Sequence, residues 1–270
     1  MGELHTITSF SDPRIAAYAN LKDRDLARKG NRFIAEGEQV VRRLLASDYP
    51  TESLLVAENR LNRIEQEVPP DVPVYVGPAA LVNSILGFKF HSGIMAVGRR
   101  KTEMTLEKLL PPPAMAGKPL TLVICPETNN TENIGCLIRI AAGFGVDAML
   151  LGPQCCDPFW RQSIRVSMGN IFHLPILQTD DLHRDLRRLR QQWSVEHLAT
   201  VLDEHAEPLS PASRQSRHIS LLFGNEAHGL GDEWLAECRR RITIPMRMGT
   251  DSLNVSVAAG ILLYEMTRQI

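Results

Sequence analysis

Three short polar segments in the second half of the chain contain the residues best suited to bind a ligand and act on it. They cover residues 133–139, 224–229, and 244–246 with 252–256. Each segment combines glycines and uncharged polar side chains with one or two charges, and each lies where a predicted strand or helix begins or ends. Because α/β proteins bind ligands outside the carboxyl ends of their parallel strands, the three segments predict one shared site.

Arg139 is the charged residue that is hardest to explain as part of a packed helix. Its neighbours Ile138 and Ile140 belong to a stretch that is otherwise fit for burial. A buried guanidinium needs a carboxylate or phosphate partner, so we expect Arg139 to be buried and to act on a ligand. Asn133, near the helix start, either caps the helix with its side-chain oxygen or belongs to the site.

The two later segments add a carboxylate, an amide and a glycine. Glu226 follows a predicted strand and a Gly-Asn turn. We expect it to meet Arg139 or Asn254, or else to lie near the free amides of a helix start. Gly224 would let a ligand approach the backbone closely. Asn254 is a poor helix former in the first turn of the last helix, whereas Ser252 or Asp251 is able to cap that helix.

In order, spacing and strand context, the three segments resemble the signature motifs of the SpoU (TrmH-type) branch of the SPOUT RNA methyltransferases. The resemblance covers roughly residues 118–270, although the chain has Thr131-Glu132 where the family often has Asp-Pro. It implies methyl transfer from S-adenosylmethionine (SAM) to a ribose 2′-hydroxyl, in an α/β domain with a parallel sheet and a trefoil knot. The catalytic residues that it implies are Asn133, Arg139, Glu226, Ser252 and Asn254. The SAM-binding residues that it implies are Gly224, Ile244, Met246 and Leu253.

The implied reaction sets modest chemical demands. A methyl carbon on a sulfonium already has a good leaving group, so positioning and electrostatics supply most of the catalysis. A ribose hydroxyl is a very weak acid, and some group must accept its proton or stabilise the developing alkoxide. The resemblance implies that Arg139 is catalytic, often as the base for the 2′-hydroxyl. Because a guanidinium rarely loses its proton, the alternative that we favour is that Arg139 binds the adjacent phosphate and stabilises the alkoxide.

A proline cluster divides the chain into two predicted domains. The three prolines at 111–113 remove backbone donors and hold the chain extended, which predicts a linker over residues 103–118. Before it, alternating strands and helices predict a small α/β domain over 1–102. Short segments of that domain resemble the L30e-like substrate-binding domain that precedes many SpoU enzymes. After it, residues 119–270 alternate strands and helices, which predicts a mostly parallel sheet.

Overall charge gives no support to nucleic-acid binding, because the net charge is −1 and the pI is about 6.7. Local charge does: Arg99, Arg100 and Lys101 form one basic run, and further runs lie within 184–190 and 239–241. Each run is either a solvated face or part of a phosphate-binding surface. We assign the first run to RNA binding. By analogy, the separate N-terminal domain favours ribosomal RNA over transfer RNA.

Composition indicates a cytoplasmic protein without a metal. No apolar run approaches the length of a membrane span, and the first residues lack the order of a secretory signal. Five cysteines is an odd number, and Cys155 and Cys156 are adjacent, which suits a reducing compartment. The sequence contains no Cys-x-x-Cys spacing or His/Cys cluster that would predict a zinc site.

The last predicted helix, residues 252–270, predicts a homodimer through the C-terminal domain. Its apolar residues cover more than the single stripe of an ordinary surface helix. They are Val255, Val257, Ala258, Ala259, Ile261, Leu262, Leu263 and Met266. Either a second copy or flanking helices of the same chain would bury the additional surface.

Two other functions compete with methyl transfer. A Rossmann dehydrogenase is excluded, because Gly143 and Gly145 end a predicted helix instead of opening the helix after the first strand. An RNA-binding adaptor that kept the fold and lost catalysis is a second alternative, and the intact polar motifs argue against it. A tRNA 2′-O-methyltransferase remains the alternative within the same chemistry.

Overall fold

The computed structural model describes residues 2–9, 11–19, 26–27, 31–86, 93–101, 104–112, 117–246 and 252–268. The chain divides into two compact units. The first unit consists of Met1–Thr102 together with Pro158–His173, and the second consists of Glu103–Asp157 together with Leu174–Ile270.

The first unit is built on a five-stranded sheet in the order β1-β4-β3-β5-β2. β4 pairs in parallel with β1 and with β3, whereas β5 pairs antiparallel with β3 and with β2. The strands are β1 Leu4–Thr6, β2 Arg32–Glu36, β3 Thr51–Ala57, β4 Val74–Gly77 and β5 Ile94–Arg99. The α-helices are α1 Ala16–Ala19, α2 Glu38–Leu45, α3 Ala79–Leu86 and α6 Arg161–Val166. The 3-10 helices are Pro13–Ile15, Glu58–Arg63, Glu65–Glu67 and Asn170–Phe172.

The second unit is built on a seven-stranded sheet in the order β10-β12-β9-β11-β6-β7-β8, and every neighbouring pair is parallel. The strands are β6 Leu120–Cys125, β7 Ala148–Leu151, β8 Ile176–Gln178, β9 Glu196–Thr200, β10 Glu207–Pro208, β11 His218–Leu222 and β12 Arg240–Thr243. The helices are α4 Leu106–Leu109, α5 Thr131–Gly143, α7 Leu182–Trp193, α8 Asp232–Glu237 and α9 Val255–Thr267, with a 3-10 helix at Pro211–Ser213. This confirms the predicted α/β fold with a parallel sheet, while the trefoil knot stays a prediction.

Two helix starts in the second unit are set by asparagine side chains. Asn130, not Asn133, caps α5, because its Oδ1 accepts from the backbone N–H of Glu132 at 2.8 Å. Asn254, not Ser252, caps α9, because its Oδ1 accepts from the backbone N–H of Ser256 at 2.8 Å. The other predicted cap, Asp251, lies outside the described residues. Asparagine suits this position because its carbonyl oxygen satisfies a backbone donor that has no partner inside the helix.

The structure differs from the predicted linker over residues 103–118. Within that range Leu106 and Leu109 lie on α4 and are buried in the core of the second unit, and the Trp193 indole donates to the Pro111 carbonyl at 2.8 Å. Leucines three residues apart lie on one helix face, which gives this short helix an apolar side to bury. Residues 103 and 113–116 lie outside the described residues.

The segment Pro158–His173 groups with the first unit although it lies inside the predicted second domain. Phe159 and Phe172 contact Phe33 of β2, with ring centroids 5.2 and 5.4 Å apart. Aromatic contacts of this kind depend on side chains that are distant in sequence, so the chain order did not reveal them. None of the helices in the described ranges combines the length and apolar character needed to cross a lipid bilayer.

Candidate active site

A cavity of about 740 Å³ lies at the carboxyl ends of β9, β11 and β12. Its volume falls in the range of small-molecule binding sites, about 300–1,000 Å³, and its place at a parallel sheet edge is the usual one for a ligand. The predicted site residues that line it are Gly224, Glu226, Ile244, Met246, Ser252, Leu253 and Asn254. The later two sequence motifs therefore meet at one cavity.

A chain of three side chains joins all three motifs. Asn133 Nδ2 donates to Glu226 Oε1 at 2.6 Å, and Asn254 Nδ2 donates to Asn133 Oδ1 at 3.2 Å. Asn133 is buried in the first turn of α5, whereas Glu226 and Asn254 are exposed. The buried amide thus connects an exposed carboxylate and an exposed amide and holds both in place.

Glu226 meets Asn133 rather than the expected partners Arg139 or Asn254. The loop that carries it follows β11 and is closed by two backbone hydrogen bonds between Asn225 and Gly229, each 2.9 Å long. Gly229 has a φ of 70°, a left-handed conformation that favours glycine. This tight loop directs Glu226 toward the start of α5.

Gly224 is required by the same loop, and the close approach of a ligand to its backbone stays a prediction. A Cβ atom at Gly224 would lie 2.3 Å from the carbonyl carbon of Gly229 and 2.5 Å from the backbone nitrogen of Leu230. Both contacts are to backbone, which has little freedom to move aside. Glycine here lets the chain fold back on itself at the cavity wall.

Arg139 is exposed, so the expectation that it is buried was wrong. The buried stripe of α5 contains Ile134, Leu137, Ile138 and Ala141, spaced as one helix face. Arg139 lies outside that stripe. Its side chain makes no hydrogen bond or ion pair within the described ranges, which leaves the guanidinium available to a ligand.

Sequence reasoning missed Glu127, which follows β6. Its carboxylate accepts a hydrogen bond from Trp234 Nε1 at 3.1 Å and lies 3.1 Å from His228 Nε2. The indole N–H and then His228 lower the pKa of the Glu127 carboxyl, because both stabilise its charged form. The signal in the sequence was a single carboxylate two residues after a buried strand.

Three cysteines beside the loop after β6 are shielded thiols: Cys125 and Cys156 are buried and Cys155 is half-buried. Cys155 Sγ donates to the Cys125 carbonyl at 3.0 Å. Burial raises the pKa of Cys155 to about 11 and that of Cys156 to about 12, so both stay protonated near neutral pH. The described residues contain no group of three or more His, Cys, Asp or Glu side chains placed to hold a metal ion, and activity without a metal stays a prediction.

The basic run assigned to RNA lies in the first unit. Arg99 pairs with Glu52, Lys101 lies over the Tyr49 ring at 4.6 Å, and Arg100 lies over the Phe159 ring at 4.9 Å. Cations on aromatic rings keep donors that can bind phosphate. Their role in RNA binding stays a prediction.

Comparison with known proteins identifies the family. The model of the SpoU rRNA Methylase family matches residues 120–264. An uncharacterised tRNA/rRNA methyltransferase of Mycobacterium bovis is 34% identical over 264 residues, which cover 95% of this chain and 89% of that protein. The 23S rRNA (guanosine(2553)-2′-O)-methyltransferase RlmP of Bacillus subtilis is 27% identical over 96% of this chain and 98% of its own length.

Solved structures agree with this match. A crystal structure of an RNA 2′-O ribose methyltransferase is 30% identical, with a TM-score of 0.79, and covers 98% of this chain and 99% of its own. An AdoMet-bound rRNA methyltransferase from Sinorhizobium meliloti is 23% identical, with a TM-score of 0.80 over 100% of this chain and 99% of its own, which shows the shared fold. This chain therefore belongs to the SpoU rRNA methylase family of RNA methyltransferases.

Proposed function

We propose that this RNA methyltransferase transfers the methyl group of SAM to a ribose 2′-hydroxyl. The observation that carries the proposal is the Asn254–Asn133–Glu226 hydrogen-bonded chain at the cavity. It places a carboxylate that is able to receive a proton beside a site of the right size for a nucleoside ligand. The names of the Bacillus subtilis relative and of the 30% identical structure, both 2′-O-methyltransferases, support the same position.

The cavity fits SAM. Apolar side chains such as Ile244, Leu253 and Leu262 line it, which suits an adenine ring, and the backbone of residues 224–230 supplies polar groups along one wall. When bound, SAM supplies a methyl group on a positively charged sulfonium. We assign Gly224, Ile244, Met246 and Leu253 to holding it.

The transfer forms a bond between the ribose 2′-oxygen and the methyl carbon, breaks the carbon–sulfur bond, and releases the hydroxyl proton. We assign Glu226 to accept that proton as the new bond forms, because a carboxylate is a suitable acceptor. The Asn133 amide orients Glu226. We assign Ser252 and Asn254, both exposed at the cavity, to contact the incoming nucleotide.

Arg139 is assigned to the RNA phosphate next to the reacting ribose. Its guanidinium is exposed and always charged, and its planar donors match a phosphate in a bidentate manner. The guanidinium that holds this phosphate also brings its own positive charge near the developing alkoxide, which lowers the barrier electrostatically. This assignment gives Arg139 a role in RNA binding and in catalysis.

Ribosomal RNA is the favoured substrate. The Bacillus subtilis relative named above methylates 23S rRNA, while the Mycobacterium bovis relative is named for tRNA and rRNA together. We assign residues 1–102 to RNA binding as an L30e-like domain, with Arg99, Arg100 and Lys101 among the contacts. A ribosomal substrate also implies that the protein works in the cytoplasm.

A homodimer is the proposed working unit. On α9, Val257, Ile261 and Tyr264 are exposed by 53%, 40% and 55%. They lie four and three residues apart and so form one helix face. Three large apolar side chains in a row suit contact with a second copy of the chain, since the other face of α9 already packs within its own unit.

The test is methylation with SAM labelled in its methyl group, offered separately to 23S rRNA, 16S rRNA and bulk tRNA. Nuclease digestion and mass spectrometry should identify a 2′-O-methylnucleoside in ribosomal RNA. A substrate with a single 2′-deoxyribose at the mapped nucleotide serves as the control and should not react. Methylation of a base would overturn the proposal, methylation of tRNA alone would favour the alternative substrate, and RNA binding without any transfer would favour an inactive adaptor.

A further inference from the structure

We propose that Glu127 is a positioning residue that holds Glu226 in its reactive place. The loop of residues 225–229, here called the glutamate loop, carries Glu226 at its tip. Glu127 lies outside the three sequence motifs and does not line the cavity. The inference deepens the proposed function, since it rests on Glu226 acting in methyl transfer.

Glu127 holds the glutamate loop near both of its ends. Its backbone carbonyl accepts from Asn225 Nδ2 at 2.9 Å, and its carboxylate Oε2 lies 3.1 Å from His228 Nε2. The residue that makes these contacts precedes the turn into α5, the helix that also carries Asn133. The donor and the acceptor of the Asn133–Glu226 bond are thereby tied to the same stretch of chain.

The other carboxylate oxygen connects this arrangement to the core. Glu127 Oε1 accepts from Trp234 Nε1 at 3.1 Å. Trp234 is 7% exposed and stacks on His183 with ring centroids 4.2 Å apart and planes 7° from parallel. A side chain fixed by packing and stacking gives Glu127 a rigid anchor.

The glutamate loop has little else to determine its position. Glu226, Ala227, His228 and Gly229 are all exposed, so apolar packing contributes little to their placement. Segments with few buried contacts open most easily unless polar contacts hold them. Proton transfer depends on placement within a few tenths of an ångström. Loss of the Glu127 contacts should therefore slow the reaction in a protein that remains folded.

Three variants test the proposal in single-turnover reactions with saturating RNA and SAM. Glu127→Ala should lower the rate about tenfold or more and change the SAM dissociation constant much less. Glu127→Gln should keep the rate within about threefold, because its amide still accepts from Trp234 and can donate to His228. Glu233→Ala is the matched control, since Glu233 is an exposed carboxylate on α8 that makes no hydrogen bond within the described ranges.

A double-mutant cycle separates positioning from a merely structural role. In the Glu226→Gln background, Glu127→Ala should cause no further loss of rate, because the residue it positions is already disabled. Losses that multiply in the double variant would overturn the proposal, as would a normal rate in Glu127→Ala. Long single-turnover incubations keep the slow variants measurable.

A thermal melt and a second variant, His228→Ala, keep the test decisive. If a thermal melt shows that Glu127→Ala does not fold, His228→Ala replaces it, because this variant removes only the exposed contact to Glu127. His228→Ala should lower the rate several-fold. In the Glu226→Gln background it should cause no further loss of rate. An unchanged rate in His228→Ala would then overturn the proposal. Failure of the proposed function is detected with the unmodified protein, as a methylated base or as no product. The double-mutant cycle is a separate test, because it measures the rate of methyl transfer whichever atom is methylated.

Discussion

Asn133 Nδ2 and Glu226 Oε1 lie 2.6 Å apart although their residues are separated by 93 positions in the chain. The bond joins the first turn of α5 to the loop after β11, two elements that meet because β6 and β11 are parallel neighbours in the sheet. A hydrogen bond to a carboxylate is about twice as strong as one between neutral groups. The sheet therefore brings the first and second motifs together, and a charge-assisted bond fixes their relation.

Replacing Asn133 should disable transfer without unfolding the domain. Asn133→Ala removes the amide that donates to Glu226 and accepts from Asn254. We expect a rate loss of about 10- to 1,000-fold. Asn133→Asp should lose more, because it places a second carboxylate against Glu226. Rates are measured with labelled SAM, and a thermal melt within a few degrees of the unmodified protein confirms that the variants are folded.

Arg139→Ala should abolish transfer and leave SAM affinity within a few-fold, since Arg139 is assigned to the ribose and phosphate. Arg139→Lys should also fail, because an ammonium does not reproduce the planar donors of the guanidinium. The exposed Arg184 on α7 provides the control, and Arg184→Ala should keep its activity. Near-normal turnover in Arg139→Ala contradicts the assignment.

The place of Arg139 also shows where sequence reasoning stopped. Its apolar neighbours suggested burial, but a helix with a single buried face needs only every third or fourth residue to be apolar. Ile140 next to it is itself only half-buried. The motif identified the residue, whereas the face of the helix on which it lies depended on how α5 packs.

The strand β9 shows what a local sequence pattern does not reveal. The predicted alternation of strands and helices in residues 119–270 agrees with the parallel sheet, but no apolar run in the sequence marks β9 (Glu196–Thr200) as a strand. β9 contains His197, which is buried and satisfied by Ser220 Oγ at 2.7 Å and by the Leu186 carbonyl at 2.9 Å. Partners that distant in sequence are not visible in a local pattern.

The glutamate loop predicts a specific sensitivity at Gly224. Gly224→Ala should weaken SAM binding at least tenfold, because the added Cβ would lie 2.3 Å from the Gly229 carbonyl carbon and force the cavity wall apart. Gly143→Ala is the control, since a Cβ there meets nothing within 4 Å. Calorimetric titration with SAM measures both, and unchanged affinity in Gly224→Ala would contradict this account of the loop.

Buried His197 predicts a pH dependence of stability. Burial lowers its pKa below the ordinary 6.5, so the unfolded chain binds a proton on His197 more readily than the folded chain does. Its contribution to stability is therefore fully present above about pH 6.5 and is lost as the pH falls toward the lowered value. The free energy of unfolding, measured with urea at about pH 7.5 and about pH 5, should fall less between the two pH values in His197→Gln than in the unmodified protein.

The exposed His205 supplies the control for that measurement. Its side chain is 87% exposed, so His205→Gln should follow the pH dependence of the unmodified protein. Equal pH dependence in His197→Gln and in the unmodified protein would show that His197 does not contribute in the way its burial implies.

The exposed stripe on α9 predicts how dimerisation and activity are linked. Ile261→Glu places a charge at the middle of the stripe formed with Val257 and Tyr264, and burying that charge in an interface without a partner is costly. We expect the unmodified protein to sediment as a dimer at micromolar concentration and the variant to sediment as a monomer with much reduced activity. Leu4→Glu, a charge placed on an exposed apolar side chain of the first unit, should remain dimeric. An unmodified protein that is monomeric and fully active on dilution would rule out the dimer as the working unit.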